Sequence, residues 1–419
     1  MINFISYAIL RCFGWGISFL PYRTLHGVGR VMGVVIYHLH RSFRKKAMTN
    51  LAIAYGKTMS EEERRKIAKR SFQNLTITCF EFFRLKKSKD KLSEIVELAE
   101  GHEAFSLLKQ KQGVVFLTGH QANWEIPFIG ITAHTEGIAI GRPIKNKWLY
   151  NWVLSVREMN GGKIVMPKQA IKKGTEALRE GKFLGIVGDQ AFPESSYSYP
   201  LFGTRAWTTT TPALIAYKTN SPLVVATSKR VKGKYYIEGS PLMWPDTTKP
   251  LKEEVIRLMN ASMSYLEKSI QSRPHEWLWQ HDRWKQGGVD HVKREFRYGF
   301  ILTLLPKADS YLTYINLLKE IYPRSFLTFL VPEKVDVNVE GVEMVPYVNE
   351  EGLCLRDWRY QLVIDLVDSS RARKHYAKLG AFKTLNLKKL KKLSSIEGSL
   401  DKILKHALCK PGAFEKKAD

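Results

Sequence analysis

His120 and Glu125 stand five residues apart in the stretch 112–127, QGVVFLTGHQANWEIP, and are the pair best suited to proton transfer. A histidine whose one ring nitrogen is held by a carboxylate keeps the other free as a general base, and the carboxylate stabilises the imidazolium that forms. Glu125 is expected in that supporting role. Spacing alone is weak, since 11 His and 40 acidic residues supply about one His-x4-acid pair by chance. Context strengthens it. Residues 114–117, VVFL, read as a buried strand closed by Thr118-Gly119, and Asn123 and Glu125 open a helix. His120 is thereby expected outside the carboxyl end of a strand, where open α/β sheets bind ligands.

The elements that must hold this turn follow the same pattern. GIAIG (137–141), KFLGIVGDQ (182–190) and PLVVATSKR (222–230) read as strands, with helices expected over 147–159 and 253–272. From Ser60 a capped amphipathic helix runs on, its stripe of Phe72, Phe80, Phe82 and Phe83 facing the core. After about residue 298, RYGFILTLLP, a helix stopped by Pro323, and SFLTFLVP make a βαβ unit, and YQLVIDLVD adds a strand before a Lys-rich tail. The fold class is α/β, with a helical segment at 1–46, a main domain at 47–290 and a small domain at 291–419.

The chain has 66 Lys and Arg against 40 Asp and Glu, a net charge of +26 that calls for a negative partner. No zinc-finger, RRM, KH or basic-zipper pattern is present, so nucleic acid ranks below an anionic membrane. The four scattered cysteines form neither a disulfide framework nor a zinc site, and no metal is expected. Residues 4–20 are apolar except for Ser and Arg11, and an Arg near the middle of a span costs roughly 2.5–3.5 kcal/mol. An in-plane anchor is therefore expected, reinforced by Arg41, Arg44, Lys45 and Lys46 after a second apolar piece, which place it on the cytoplasmic side.

Several motifs, in order, resemble the bacterial lipid A secondary acyltransferases of the lysophospholipid acyltransferase superfamily, over roughly residues 1–287. GHQANWE resembles that family's GHxGNWE block, with Ala122 where Gly is usual, and implies His120 as catalytic base and Glu125 as its acid. AIGRPIKN, the helix carrying Arg157, GDQAF and RPHEWLWQHDRWK are similar to further blocks. They imply Asn123, Arg142, Asn146, Arg157, Asp189, Gln190 and Arg283 as substrate-binding residues. Arg142 and Arg157 suit phosphate or an oxyanion, the alternative for each being an ordinary ion pair; Asp189 could equally cap a loop. The aromatic run from Trp277 to Trp284 suits either lipid contact or a structural cap. The resemblance also implies an acyl-carrier-protein thioester as co-substrate, no cofactor, a phosphorylated glycolipid acceptor, and a peripheral or monotopic place on the cytoplasmic face of the inner membrane. The tail is similar to the first, Rossmann-like half of heptosyltransferase-type glycosyltransferases, and without a second half it is expected to carry no chemistry. Two other readings stay open: an acyltransferase for a lysophospholipid or another glycolipid, and a silent membrane adaptor.

Overall fold

A computed structural model describes residues 2–413 apart from 100, 287–288, 307–310 and 334–338. Four helices come first: α1 (Ile2–Ile17), α2 (Tyr22–Leu39), α3 (Arg41–Tyr55) and α4 (Glu61–Leu85). Ser60 caps α4 in a reciprocal capping box with Glu63, as the Ser-x-x-Glu spacing predicts. Residue 46, the expected end of the first segment, lies inside α3.

A seven-stranded sheet follows. Its strands are β1 (Val96–Leu98), β2 (Val114–Thr118), β3 (Gly137–Ile140), β4 (Lys163–Val165) and β5 (Phe183–Val187), then, beyond the hairpin β6 (Ser198–Leu201) and β7 (Thr204–Trp207), β8 (Leu223–Val231) and β9 (Lys234–Gly239). The order is β1-β9-β8-β2-β5-β3-β4. All neighbours are parallel except β8 and β9, joined by a tight turn. Every residue of the central β2 is buried, which explains its unbroken apolar text. The second sheet contains β10 (Phe300–Leu304), β11 (Phe326–Pro332), β12 (Glu343–Tyr347), β13 (Leu362–Asp365) and β14 (Lys383–Asn386), ordered β12-β11-β10-β13-β14 and all parallel. The helix between β10 and β11 starts at Tyr311, and the residues able to cap it, Asp309 and Ser310, lie outside the described set.

The two sheets share buried surface. Phe300 and Trp358 of the C-terminal unit belong to the main core, and Thr49 of α3 donates to the Trp358 carbonyl at 2.9 Å. Arg41 donates to the Ala377 carbonyl at 2.8 Å and Lys45 to that of Ala381 at 2.5 Å. Burial, then the like charges of Arg41 and Arg44, hold the Lys45 ammonium down to about 8. Two of the four cations expected at a membrane are thus tied to the C-terminal unit instead.

Among the described residues no helix is long and apolar enough to cross a membrane. α1 nevertheless exposes Ile2, Phe4, Ile5, Ile9, Phe13 and Trp15, and α2 exposes Val31, Val35 and Leu39. Of the two roles open to the aromatic run, the structure takes the structural cap: Trp277, Trp279, Arg283 and Trp284 are all buried, and the three Trp belong to the main core.

Because Trp358 joins the two units, Trp358→Ala should destabilise the protein by about 3–5 kcal/mol, as other buried Trp truncations do. Chemical denaturation followed by a probe in each unit should show both melting earlier together. An unchanged midpoint for the first sheet would mean that the units are energetically separate.

Candidate active site

β2 and β5 lie side by side with Thr118 opposite Val187. Each strand is followed by a glycine and then a polar residue, Gly119-His120 and Gly188-Asp189, so the parallel register brings His120 and Asp189 to one level at the carboxyl edge. His120 Nδ1 lies 2.6 Å from Asp189 Oδ1, and the His120 backbone N–H donates to Oδ2 at 2.7 Å. The Trp277 indole N–H donates to that same oxygen at 2.7 Å. Gly119 makes room for this cluster, since a Cβ there would sit 2.9 Å from Leu266 Cδ1 and 3.2 Å from Asp189 Oδ2.

Burial alone would raise the Asp189 pKa, but the adjoining His120 and the donated hydrogen bonds outweigh it and hold the carboxyl below its ordinary value. An ionised carboxylate only accepts, which places a proton on Nδ1 and leaves the Nε2 lone pair outward. Gln190 Nε2 lies 3.2 Å from that nitrogen, at donor distance.

Nε2 faces a cavity of about 450 Å³ that His120, Glu125, Arg142, Arg157 and Gln190 line on its polar side. Trp124, Phe128, Ile140, Ile144, Ile164 and Ile186 supply apolar walls. Glu125 does not hold the imidazole. Its carboxylate accepts from Arg157 Nε at 2.7 Å and from a terminal nitrogen at 2.6 Å, a two-pronged pair. Burial alone would lower the Arg157 pKa, but Glu125 more than offsets it, and the net shift is upward. The acid against the ring is Asp189, 69 residues further on.

The chain turns away from His120 at Ala122, whose φ of 48° lies in the left-handed region where the related motif has Gly. Its carbonyl is held from behind by Asn74 Nδ2 at 3.0 Å and Thr78 Oγ at 2.8 Å, both on α4.

The remaining expected residues divide. Arg142 is exposed at the cavity mouth. Asn123 is fully buried behind the turn, donating to Glu81 Oε2 at 3.1 Å. Asn146 caps the helix Lys147–Arg157, accepting from Trp148 and Leu149, and donates to the Asn3 carbonyl of α1 at 2.7 Å. Arg283 is buried away from the cavity, donating to the Trp207 carbonyl at 2.9 Å and Thr208 Oγ at 2.6 Å, with its pKa pushed down to about 10 by burial. Glu81, which nothing in the text of α4 marks out, is fully buried and joins His26 of α2 at 2.7 Å, Arg230 at 2.9 Å and Tyr235 to the active-site turn. Among the described residues, no cluster of His, Cys, Asp or Glu is arranged to hold a metal ion.

With this geometry in view, the comparisons decide the family. Residues 2–286 match the family described as bacterial lipid A biosynthesis acyltransferase. The chain belongs to that family. It is 24% identical to the lipid A biosynthesis lauroyltransferase of Escherichia coli K12 over 278 residues, 65% of this chain and 88% of that protein. It is 25% identical to a lipid A biosynthesis acyltransferase of Haemophilus influenzae over 297 residues, again 65% of this chain and 89% of the relative. At the level of the family it is an O-acyltransferase of lipid A synthesis.

His281 yields a pH prediction. Its Nε2 accepts the Ala191 N–H at 3.3 Å, and burial pushes its pKa from 6.5 down to about 4. Between those values the unfolded state binds more protons than the folded one, so stability falls as pH drops through the window. The Tm of the wild type should fall more between pH 7 and pH 5 than that of His281→Gln. Equal falls would show that His281 carries none of the acid sensitivity.

Proposed function

We propose that this protein moves a fatty acyl chain from an acyl-carrier-protein thioester to a hydroxyl of a phosphorylated lipid A precursor at the cytoplasmic face of the inner membrane. One observation carries the reading: a histidine with Nδ1 held by a buried carboxylate opens its other nitrogen into a largely apolar cavity. A volume of about 450 Å³ falls within the roughly 300–1,000 Å³ typical of ligand pockets. The apolar walls suit an acyl chain, and Arg142 at the mouth suits a phosphate.

In this mechanism an acceptor hydroxyl displaces the Gln190 amide at His120 Nε2 and gives up its proton there. The alkoxide attacks the thioester carbonyl, forming a C–O bond and a tetrahedral oxyanion. Collapse breaks the C–S bond, and the imidazolium returns the proton to the departing thiolate. Asp189, in contact with the ring, stabilises the imidazolium, the part expected of Glu125. Glu125 instead orients Arg157, whose guanidinium suits the oxyanion or a substrate phosphate. Arg142, Arg157 and Gln190 are the substrate-binding residues of this reading, with Asn123, Asn146 and Arg283 as positioning residues. No acyl-enzyme and no cofactor enter, and the C-terminal unit stabilises the whole without chemistry of its own.

Mass spectrometry of lipid A from cells with and without the gene should show loss of one acyl chain; an unchanged lipid A beside an altered phospholipid profile would favour a lysophospholipid acceptor. In vitro, His120→Ala should lower transfer by about 10²–10⁴-fold with the fold intact. Asp189→Asn, which keeps the shape but releases the tautomer, should cost up to about 10⁴-fold. Asp189→Asn within a few-fold of wild type would return the partner role to Glu125.

A further inference from the structure

We infer that a second, smaller cleft, formed by α1, the end of α4 and the helix Lys147–Arg157, binds the phosphate of an anionic membrane phospholipid. It rests on the membrane-seated reading above and adds a defined headgroup site to it. The cleft has a volume of about 150 Å³ and is lined by Arg11, Lys86 and Lys87, with Trp15, Phe83 and Trp152 as walls. Its lining contains three cations and no carboxylate. None of the three has an ion-pair partner among the described residues, unlike the half-buried Arg157, Arg230, Arg359 and Arg373.

The cations are positioned. The Arg11 guanidinium lies 4.8 Å from the centre of the Trp152 ring, and Lys87 Nζ lies 3.5 Å from that of Phe19. Lys87 also donates to Ser18 Oγ at 2.6 Å, and Ser18 in turn donates to the Trp15 carbonyl at 2.7 Å. Gly14 forms the floor, where a Cβ would run into the Phe83 ring, so the backbone of α1 approaches α4 closely enough to close the cleft.

Its neighbourhood selects the source of the phosphate. Trp15 of α1 and Phe19 just beyond its end, 64% and 61% exposed, flank the cleft, and α1 also exposes Ile5, Ile9 and Phe13. Lys89 and Lys91 continue the basic run beyond Lys86 and Lys87. Exposed aromatic and aliphatic side chains beside unpaired cations are complementary to acyl chains beneath a phosphate, as at a bilayer interface. A soluble phosphate would gain nothing from that apolar flank.

The test uses the full-length protein and sedimentation with three kinds of vesicle: phosphatidylcholine alone, phosphatidylcholine with phosphatidylglycerol, and phosphatidylcholine with oleate at matched surface charge. Arg11→Gln with Lys87→Gln should weaken binding to the phosphatidylglycerol vesicles about thirtyfold, at the roughly 1 kcal/mol per cation typical near an anionic surface. The charge-matched control Lys89→Gln with Lys91→Gln should weaken it clearly less, and circular dichroism should show both doubles folded. Equal losses in the two doubles, or an equal loss on oleate vesicles, would mean diffuse charge and no phosphate site. Protection of the wild type by inorganic phosphate, with no preference for phosphatidylglycerol, would assign the cleft to a free anion and overturn the lipid source. Wild type that sediments with none of the vesicles would sink the membrane reading itself, and this site with it.

Discussion

The short contact between His120 and Asp189 depends on two parallel strands ending at the same height. A parallel pair cannot be joined by a tight turn, so its two ends reach one edge only after a long crossover. Here that crossover carries β3, β4 and the helix that delivers Arg157. The crossover thus brings both groups to the cavity: Asp189 directly against the imidazole, and Arg157 against Glu125. Trp277, arriving from the far end of the matched region, completes the shell around Asp189. An indole N–H is a donor only, so it favours the ionised carboxylate.

Much of this was legible in the text, and the exceptions have physical causes. β2, β5, β8 and β10 announce themselves as apolar runs, because strands buried on both faces have no polar side to alternate. β1 and β4, three residues each with a charge among them, carry no periodic signal, and neither do β9 and β12. Within the site, His120 was readable from its turn. The identity of its partner was not, since local spacing offers Glu125, whereas Asp189 becomes adjacent only through strand register. The signal lay in a rhyme between two strand endings, Thr-Gly-His and Val-Gly-Asp. Charge density misled in a related way: Arg41 and Lys45 look like a membrane anchor in one dimension and act as cross-links to the C-terminal unit in three.

Ala122 shows how a local cost is tolerated. A left-handed non-glycine residue costs about 1–2 kcal/mol. Its buried methyl returns about 0.8 kcal/mol on burial, and the carbonyl it presents is held by Asn74 and Thr78. Burial thus offsets part of the backbone cost, and the two hydrogen bonds help hold the turn in this shape with Ala in place.

The bond from Lys45 to Ala381 joins residues 336 apart in the chain. During synthesis, α1, α2 and α3 leave the ribosome long before the carbonyls that α3 must meet exist. Contacts of such separation form late, after the entropy of closing the intervening loop has been overcome. Meanwhile the apolar faces of α1 and α2 stand open, a surface prone to aggregation in water unless something covers it. The same side chains that stay exposed in the finished molecule are therefore also its first hazard, and a nearby bilayer would shelter them from the earliest moments of the protein's life.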